Sequence, residues 1–161
     1  MRVDERERLR ERYQFRCGYC GVNERDVGAE LTVDHFQPRS PGGAHEAGNW
    51  VYCCHACNEF KGGVWAPESD QRVLHPVRDD PARHFIEQDD GTLVALTETG
   101  SFQIDRLRLN RNPLVAYRRE HARFKDARQL QARPVARVEE IEREVQNLIA
   151  LLESLEGDSG V

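Results

Sequence analysis

Residues 49–63 read NWVYCCHACNEFKGG, and the fold turns on how this stretch is parsed. Its first half, NWVYCC, is short, aromatic and β-branched, which predicts a strand over 49–54. HACNEFK then predicts a short helix that Gly62 and Gly63 end. Cys54 and Cys57 form a C-x2-C at the junction, and Cys17 and Cys20 form another, with 33 residues between the pairs. Two such pairs supply four thiolates, the number that completes a tetrahedral Zn²⁺ shell. A four-thiolate shell has no open position for water or substrate, so this zinc is expected to be structural. Cys53 is the odd thiol. Alternation along the strand turns it away from Cys54, and it reads as a small apolar filler, a register with Cys53 as the ligand being the alternative.

Upstream, ELTVDHF (30–36) alternates and predicts a second strand, and QPRSPGGAHEAG (37–48) is a loop by its prolines and glycines. Residues 4–16 predict a charged helix with Leu9 and Tyr13 turned inward. The sum is helix, zinc knuckle, strand, loop, strand, knuckle, helix. Asp34 and His35 are adjacent, so within a strand they face opposite ways. They reach one cleft only if the strand ends there.

The string CGYC … LTVDHFQPRSPGG … NWVYCCHACNEFKGG resembles the HNH endonuclease family in its four-cysteine zinc subgroup, over about Arg12 to Gly63. The resemblance implies an α+β chain with a ββα-metal core and structural zinc. It implies His35 as general base, Asn49 as the middle catalytic-motif residue that fixes the loop and orients the base, and Asp34 and Asn58 as ligands of a catalytic divalent metal. Asn58 stands where many members carry His, an H-N-N variant. The expected activity is metal-dependent hydrolysis of DNA phosphodiester bonds, leaving a 3′-hydroxyl and a 5′-phosphate, with RNA also open as substrate. A zinc-dependent nucleic-acid-binding module without cleavage, or the nuclease subunit of a larger restriction or packaging complex, are the alternative readings.

The residue types suit this chemistry independently. A neutral imidazole can take a proton from water near pH 7. Carboxylate and amide oxygens are hard donors that suit Mg²⁺ or Mn²⁺. Lys61 and Arg39 are candidate phosphate contacts. His55 matches no catalytic position, and His45, in the loop with Arg39, is either a DNA contact or a solvated residue.

The rest of the chain is read from pattern alone. Residues 1–66 are expected to be the nuclease core and 67–110 a connecting segment. That segment carries a small β-hairpin over 91–107, turning at ETGS. Residues 111–161 are expected to form a C-terminal helical hairpin. Asn112 and Pro113 start one helix of that hairpin and Pro134 breaks it. A second helix, about 135–156, carries an a/d stripe of Val138, Ile141, Val145, Leu148, Leu152 and Leu155. It is expected to fold back on the first, leaving a monomer, or to pair with a second copy as a homodimer.

The chain has 161 residues, of which 32% are charged, and a formal net charge of −5. Eight basic residues between Arg106 and Arg128 nevertheless form a local stripe suited to a phosphate backbone. No apolar run approaches a membrane span, and the N-terminal residues lack an apolar signal core, so a cytoplasmic protein is expected.

Overall fold

The computed structural model describes residues 2–157, with side chains described for 2–124, 137, 138 and 140–150. By contacts the chain forms two compact units, Met1–Arg119 and Glu120–Val161.

The first unit is built around an antiparallel pair. β1 (Thr32–His35) lies against β2 (Trp50–Cys53) with Asp34 opposite Val51 and His35 opposite Trp50. β1 ends at His35, the position at which an adjacent acid and histidine can serve one cleft. Every residue of β2 is buried, and Val51, Tyr52 and Cys53 are wholly so. A strand covered on both faces does not alternate. It therefore needs cover from two sides, supplied by α1 (Val3–Arg12) and by the first knuckle. Leu9 enters the core from α1, and Gly18 N–H donates to the Tyr52 carbonyl at 2.8 Å. The short helix α2 (Glu24–Val27) is fastened through Glu24, which takes both Arg10 Nε and Nη2, at 3.0 and 2.9 Å, and the Tyr52 hydroxyl.

α3 (His55–Lys61) follows β2 directly and packs on β1. Cys54 caps it: its Sγ accepts Cys57 N–H at 3.4 Å and its carbonyl accepts Asn58 N–H at 3.0 Å. Strand, loop, strand and helix therefore follow the order read from the sequence.

The connecting segment departs from expectation. The hairpin is β3 (Phe85–Glu87) with β4 (Leu93–Ala95), ten or so residues earlier than the sequence pattern suggests. TETGS starts a helix instead of a turn: Thr97 Oγ1 accepts Gly100 N–H at 3.1 Å, and α4 (Glu98–Arg106) follows. The cap decides this, because a threonine at the N-cap satisfies an otherwise orphaned amide. α4 then buries Gln103 and Ile104, and Gln103 Oε1 accepts Leu74 N–H at 2.6 Å.

The expected C-terminal helical hairpin is not formed. One helix, α5, runs Asn112–Gly157 through Pro134. A proline removes one backbone donor and bends a helix without necessarily ending it. In the second unit Val138, Ile141, Val145 and Leu148 are all exposed. Leu152 and Leu155 of the same stripe lie outside the described side chains. No helix among the described residues is long and apolar enough to cross a membrane.

Candidate active site and metal centre

The four cysteines Cys17, Cys20, Cys54 and Cys57 converge, with all four Sγ atoms within 4.8 Å of one another. Cys20 and Cys54 Sγ are 3.8 Å apart. A tetrahedron with Zn–S bonds of about 2.3 Å has edges of about 3.8 Å, so the cluster has the size of a zinc shell. Arg111 adds to the fit. Its Nη2 lies 4.0 and 3.9 Å from Cys54 and Cys57 Sγ, where a cation offsets thiolate charge. Cys53 is excluded from the cluster, and burial pushes its thiol pKa far up, so it stays a neutral filler.

Across β1, Asp34 is buried. Its Oδ2 accepts the Tyr19 hydroxyl at 2.6 Å and pairs with Lys61 Nζ at 2.9 Å. Lys61 is completely buried and also donates to the His35 carbonyl at 3.2 Å. Sequence reasoning offered Lys61 to a phosphate. In the structure its ammonium is turned inward onto the carboxylate and is closed to solvent. The backbone beyond it is held as well, since Arg106 Nη2 donates to the Lys61 carbonyl at 3.1 Å.

His35 is half-buried, and its Nε2 lies 2.9 Å from His45 Nδ1. The His45 ring in turn meets Trp50 edge-on at 5.0 Å between centroids. Burial lowers the His35 pKa below its usual value, and the nearby His45 and Arg39 charges add to this. Arg39 is exposed on the loop and near enough to bear on His35 electrostatically. His55 is exposed and apart from these contacts.

Asn49 clamps the loop between the strands. Its Oδ1 accepts Gln37 N–H at 2.8 Å, and its Nδ2 donates to the Gln37 and Ala44 carbonyls, both at 2.9 Å. Ala44 precedes His45, so the clamp also places the histidine that meets His35. Gly43 closes the same loop, where a Cβ would fall 1.9 Å from the Gln37 carbonyl oxygen.

Asn58 lies on α3 three residues before Lys61, hence on the same face, which is turned to β1. Its half-buried amide makes no hydrogen bond to the described residues. Neither does Asp34 Oδ1. Two hard oxygens without partners among the described residues suit a divalent cation in chemistry, although the charge of Asp34 is already paired with Lys61 and Asn58 is neutral. The four cysteines are the sole group of three or more His, Cys, Asp or Glu ligands among the described residues.

Four contributors escaped sequence reasoning. Tyr19 sits inside the first C-x2-C, which forces it under β1. His45 reads from the sequence only as a loop residue near the site, with no link to His35. Arg111 read as part of a basic stripe. His75 is buried behind Phe36, its Nδ1 accepting Val77 and Arg78 N–H at 3.1 and 3.3 Å. Its Nε2 finds no hydrogen-bond partner among the described residues, and its ring meets Phe36 edge-on at 4.5 Å. The basic stripe is also partly structural: Arg118 is buried and donates to the Gly91 and Leu109 carbonyls at 2.6 and 2.8 Å.

A sequence model of the HNH endonuclease family matches residues 17–63. The chain is also 25% identical over 143 residues to the Septu protein PtuA of Bacillus mycoides (strain KBAB4), an alignment covering 70% of this chain and 20% of that protein. The chain therefore spans about a fifth of the length of this relative. No solved structure matches.

Proposed function

We propose, from the premise that residues 17–63 are an HNH endonuclease domain, that the chain hydrolyses phosphodiester bonds in DNA with His35 as general base. The observation that carries this is the His35–His45 contact at the end of β1. When Nε2 of His35 bears the proton and donates to His45 Nδ1, the lone pair of His35 Nδ1 is left open, and it makes no hydrogen bond among the described residues. That nitrogen accepts the proton of the attacking water. The lowered pKa keeps the ring neutral and ready at pH 7. Asn49 holds the geometry through Gln37 and Ala44.

Asp34 Oδ1 and the Asn58 amide oxygen would hold Mg²⁺ or Mn²⁺. The ion, when bound, supplies positive charge to the phosphate oxygens and the leaving group. The cysteine shell would hold Zn²⁺, keeping Asn58, the residue after Cys57, facing β1.

A second reading joins the first: the nuclease works as part of a larger assembly. The chain matches only a fifth of a much longer relative, and the exposed stripe Val138, Ile141, Val145 and Leu148 is suited to a helical partner or a second copy.

The test is incubation of zinc-loaded protein with supercoiled plasmid and with structured RNA, with and without Mg²⁺ or Mn²⁺, beside His35→Ala. Metal-dependent cutting of DNA that His35→Ala lowers by about 10²–10⁴-fold supports the proposal. Equal cutting by both proteins sinks the assigned mechanism. Binding without cutting by the parent favours a nucleic-acid-binding module.

A further inference from the structure

The carboxylate assigned to the catalytic metal already has a cation. Lys61 Nζ is 2.9 Å from Asp34 Oδ2, its side chain wholly buried and that of Asp34 8% exposed. The Tyr19 hydroxyl occupies the same oxygen at 2.6 Å, and burial together with Asp34 pushes the Tyr19 phenol pKa well up, so it remains a proton donor. Both partners take Oδ2, and Oδ1 alone is left. Asn58, the other assigned ligand, is neutral. The formal charge of Asp34, Lys61, Tyr19 and Asn58 together is zero.

A divalent cation approaching Oδ1 therefore meets no net negative charge and a fixed ammonium behind the carboxylate. At distances of a few ångströms in a partly buried site, that repulsion weakens binding substantially. A phosphodiester brings the missing charge. We propose that Lys61 is the resident counter-ion of Asp34 and that, with Tyr19, it makes this carboxylate a one-oxygen ligand that holds a divalent cation well only when a nucleic-acid phosphate is present. Lys61 and Tyr19 are positioning residues: they act through Asp34. This inference rests on the assignment of Asp34 as metal ligand, and goes beyond it in setting the order of assembly.

The consequence is thermodynamic linkage. Cation and nucleic acid each raise the other's affinity by the same factor. In a simple carboxylate cluster the cation would bind first and independently.

The test is Mn²⁺ binding to the zinc-loaded full chain, followed by electron paramagnetic resonance, in the His35→Ala background so that DNA stays intact. A short duplex is expected to tighten Mn²⁺ binding by about tenfold or more. Lys61→Met is expected to bind Mn²⁺ without DNA about tenfold more tightly than the parent, and to lose most of the enhancement by the duplex. Its melting temperature should rise with Mn²⁺ far more than the parent's, since the ion replaces the lost counter-ion. Tyr19→Phe should tighten Mn²⁺ binding by a smaller factor. Tight binding by the parent without DNA, unchanged by the duplex, overturns the proposal whether or not Lys61→Met folds. Unchanged Mn²⁺ affinity in a folded Lys61→Met overturns it too. Asp34→Asn separates the two levels: if it binds Mn²⁺ as the parent does, the metal assignment itself is wrong and the counter-ion proposal falls with it.

Discussion

His45 Nδ1 lies 2.9 Å from His35 Nε2, which joins the loop to the last residue of β1. His45 is exposed and was indistinguishable from a solvated residue in the sequence. Its contact sets which ring nitrogen of His35 is free. His45→Ala is therefore expected to slow plasmid cleavage by about tenfold, less than the 10²–10⁴-fold expected of His35→Ala. Stability should change by less than about 0.5 kcal/mol, as for other exposed positions. Single-turnover cleavage rates compared with thermal melts measure both. An unchanged rate would remove His45 from the mechanism.

The lowered His35 pKa has a definite sign in pH dependence. As the proposed base, His35 works when neutral, so cleavage is expected to be lost as pH falls through its folded-state value, which lies below the usual value of about 6.5. Burial, His45, Arg39 and Lys61 lower it, and Asp34 alone opposes them. The stability linkage runs the same way. Below about pH 6.5 the unfolded chain takes the proton before the folded one, so stability declines as pH drops. An acid limb above pH 6.5 in the cleavage profile would contradict this.

Cys54→Ser and Cys53→Ser should separate sharply although the residues are adjacent. Cys54 belongs to the four-cysteine cluster and caps α3, so its loss is expected to forfeit a zinc site worth about 10 kcal/mol or more in comparable domains and to unfold the first unit. Cys53 is fully buried outside the cluster, and a serine there costs about 1–3 kcal/mol as an unpaired hydroxyl. Circular dichroism with zinc quantified by a chromogenic chelator reads both effects. Equal losses would place Cys53 in the metal shell. A strong chelator is likewise expected to unfold the parent.

Gly43→Ala tests the loop clamp without touching any ionisable group. The added methyl would meet the Gln37 carbonyl at 1.9 Å, so the loop must shift and carry Ala44 and His45 with it. Cleavage is expected to fall about tenfold or more while zinc content stays at one per chain, because displacement of about 1 Å around reacting groups costs that much. Full activity would show that the loop position is irrelevant to the chemistry.

What the sequence discloses is whatever depends on neighbours along the chain. The cysteine spacing, the strand ending at His35, the loop and the helix closed by Gly62 are local patterns, and each has its counterpart in the structure. The hairpin of the connecting segment lies elsewhere than the pattern suggests because the β-prone residues of GTLVALTETGSF mask a threonine cap that only its contact with Gly100 reveals. Pro134 marks a break by local pattern, where the chain continues as one helix. In the candidate site the missing part is pairwise and long-range. Lys61 to Asp34, Tyr19 to Asp34 and His45 to His35 are side-chain meetings across separate elements. Nothing in composition or periodicity could announce that the one lysine of the first unit would be spent inside the protein.

Cys54 offers its sulfur to the four-cysteine cluster and to Cys57 N–H, and its carbonyl to Asn58 N–H. One residue is thus anchor, cap and first rung of the helix that carries Asn58 and Lys61. For the nuclease proposed above, folding and metal uptake would then be one event, and a newly made chain is expected to stay inert toward nucleic acid until it acquires zinc.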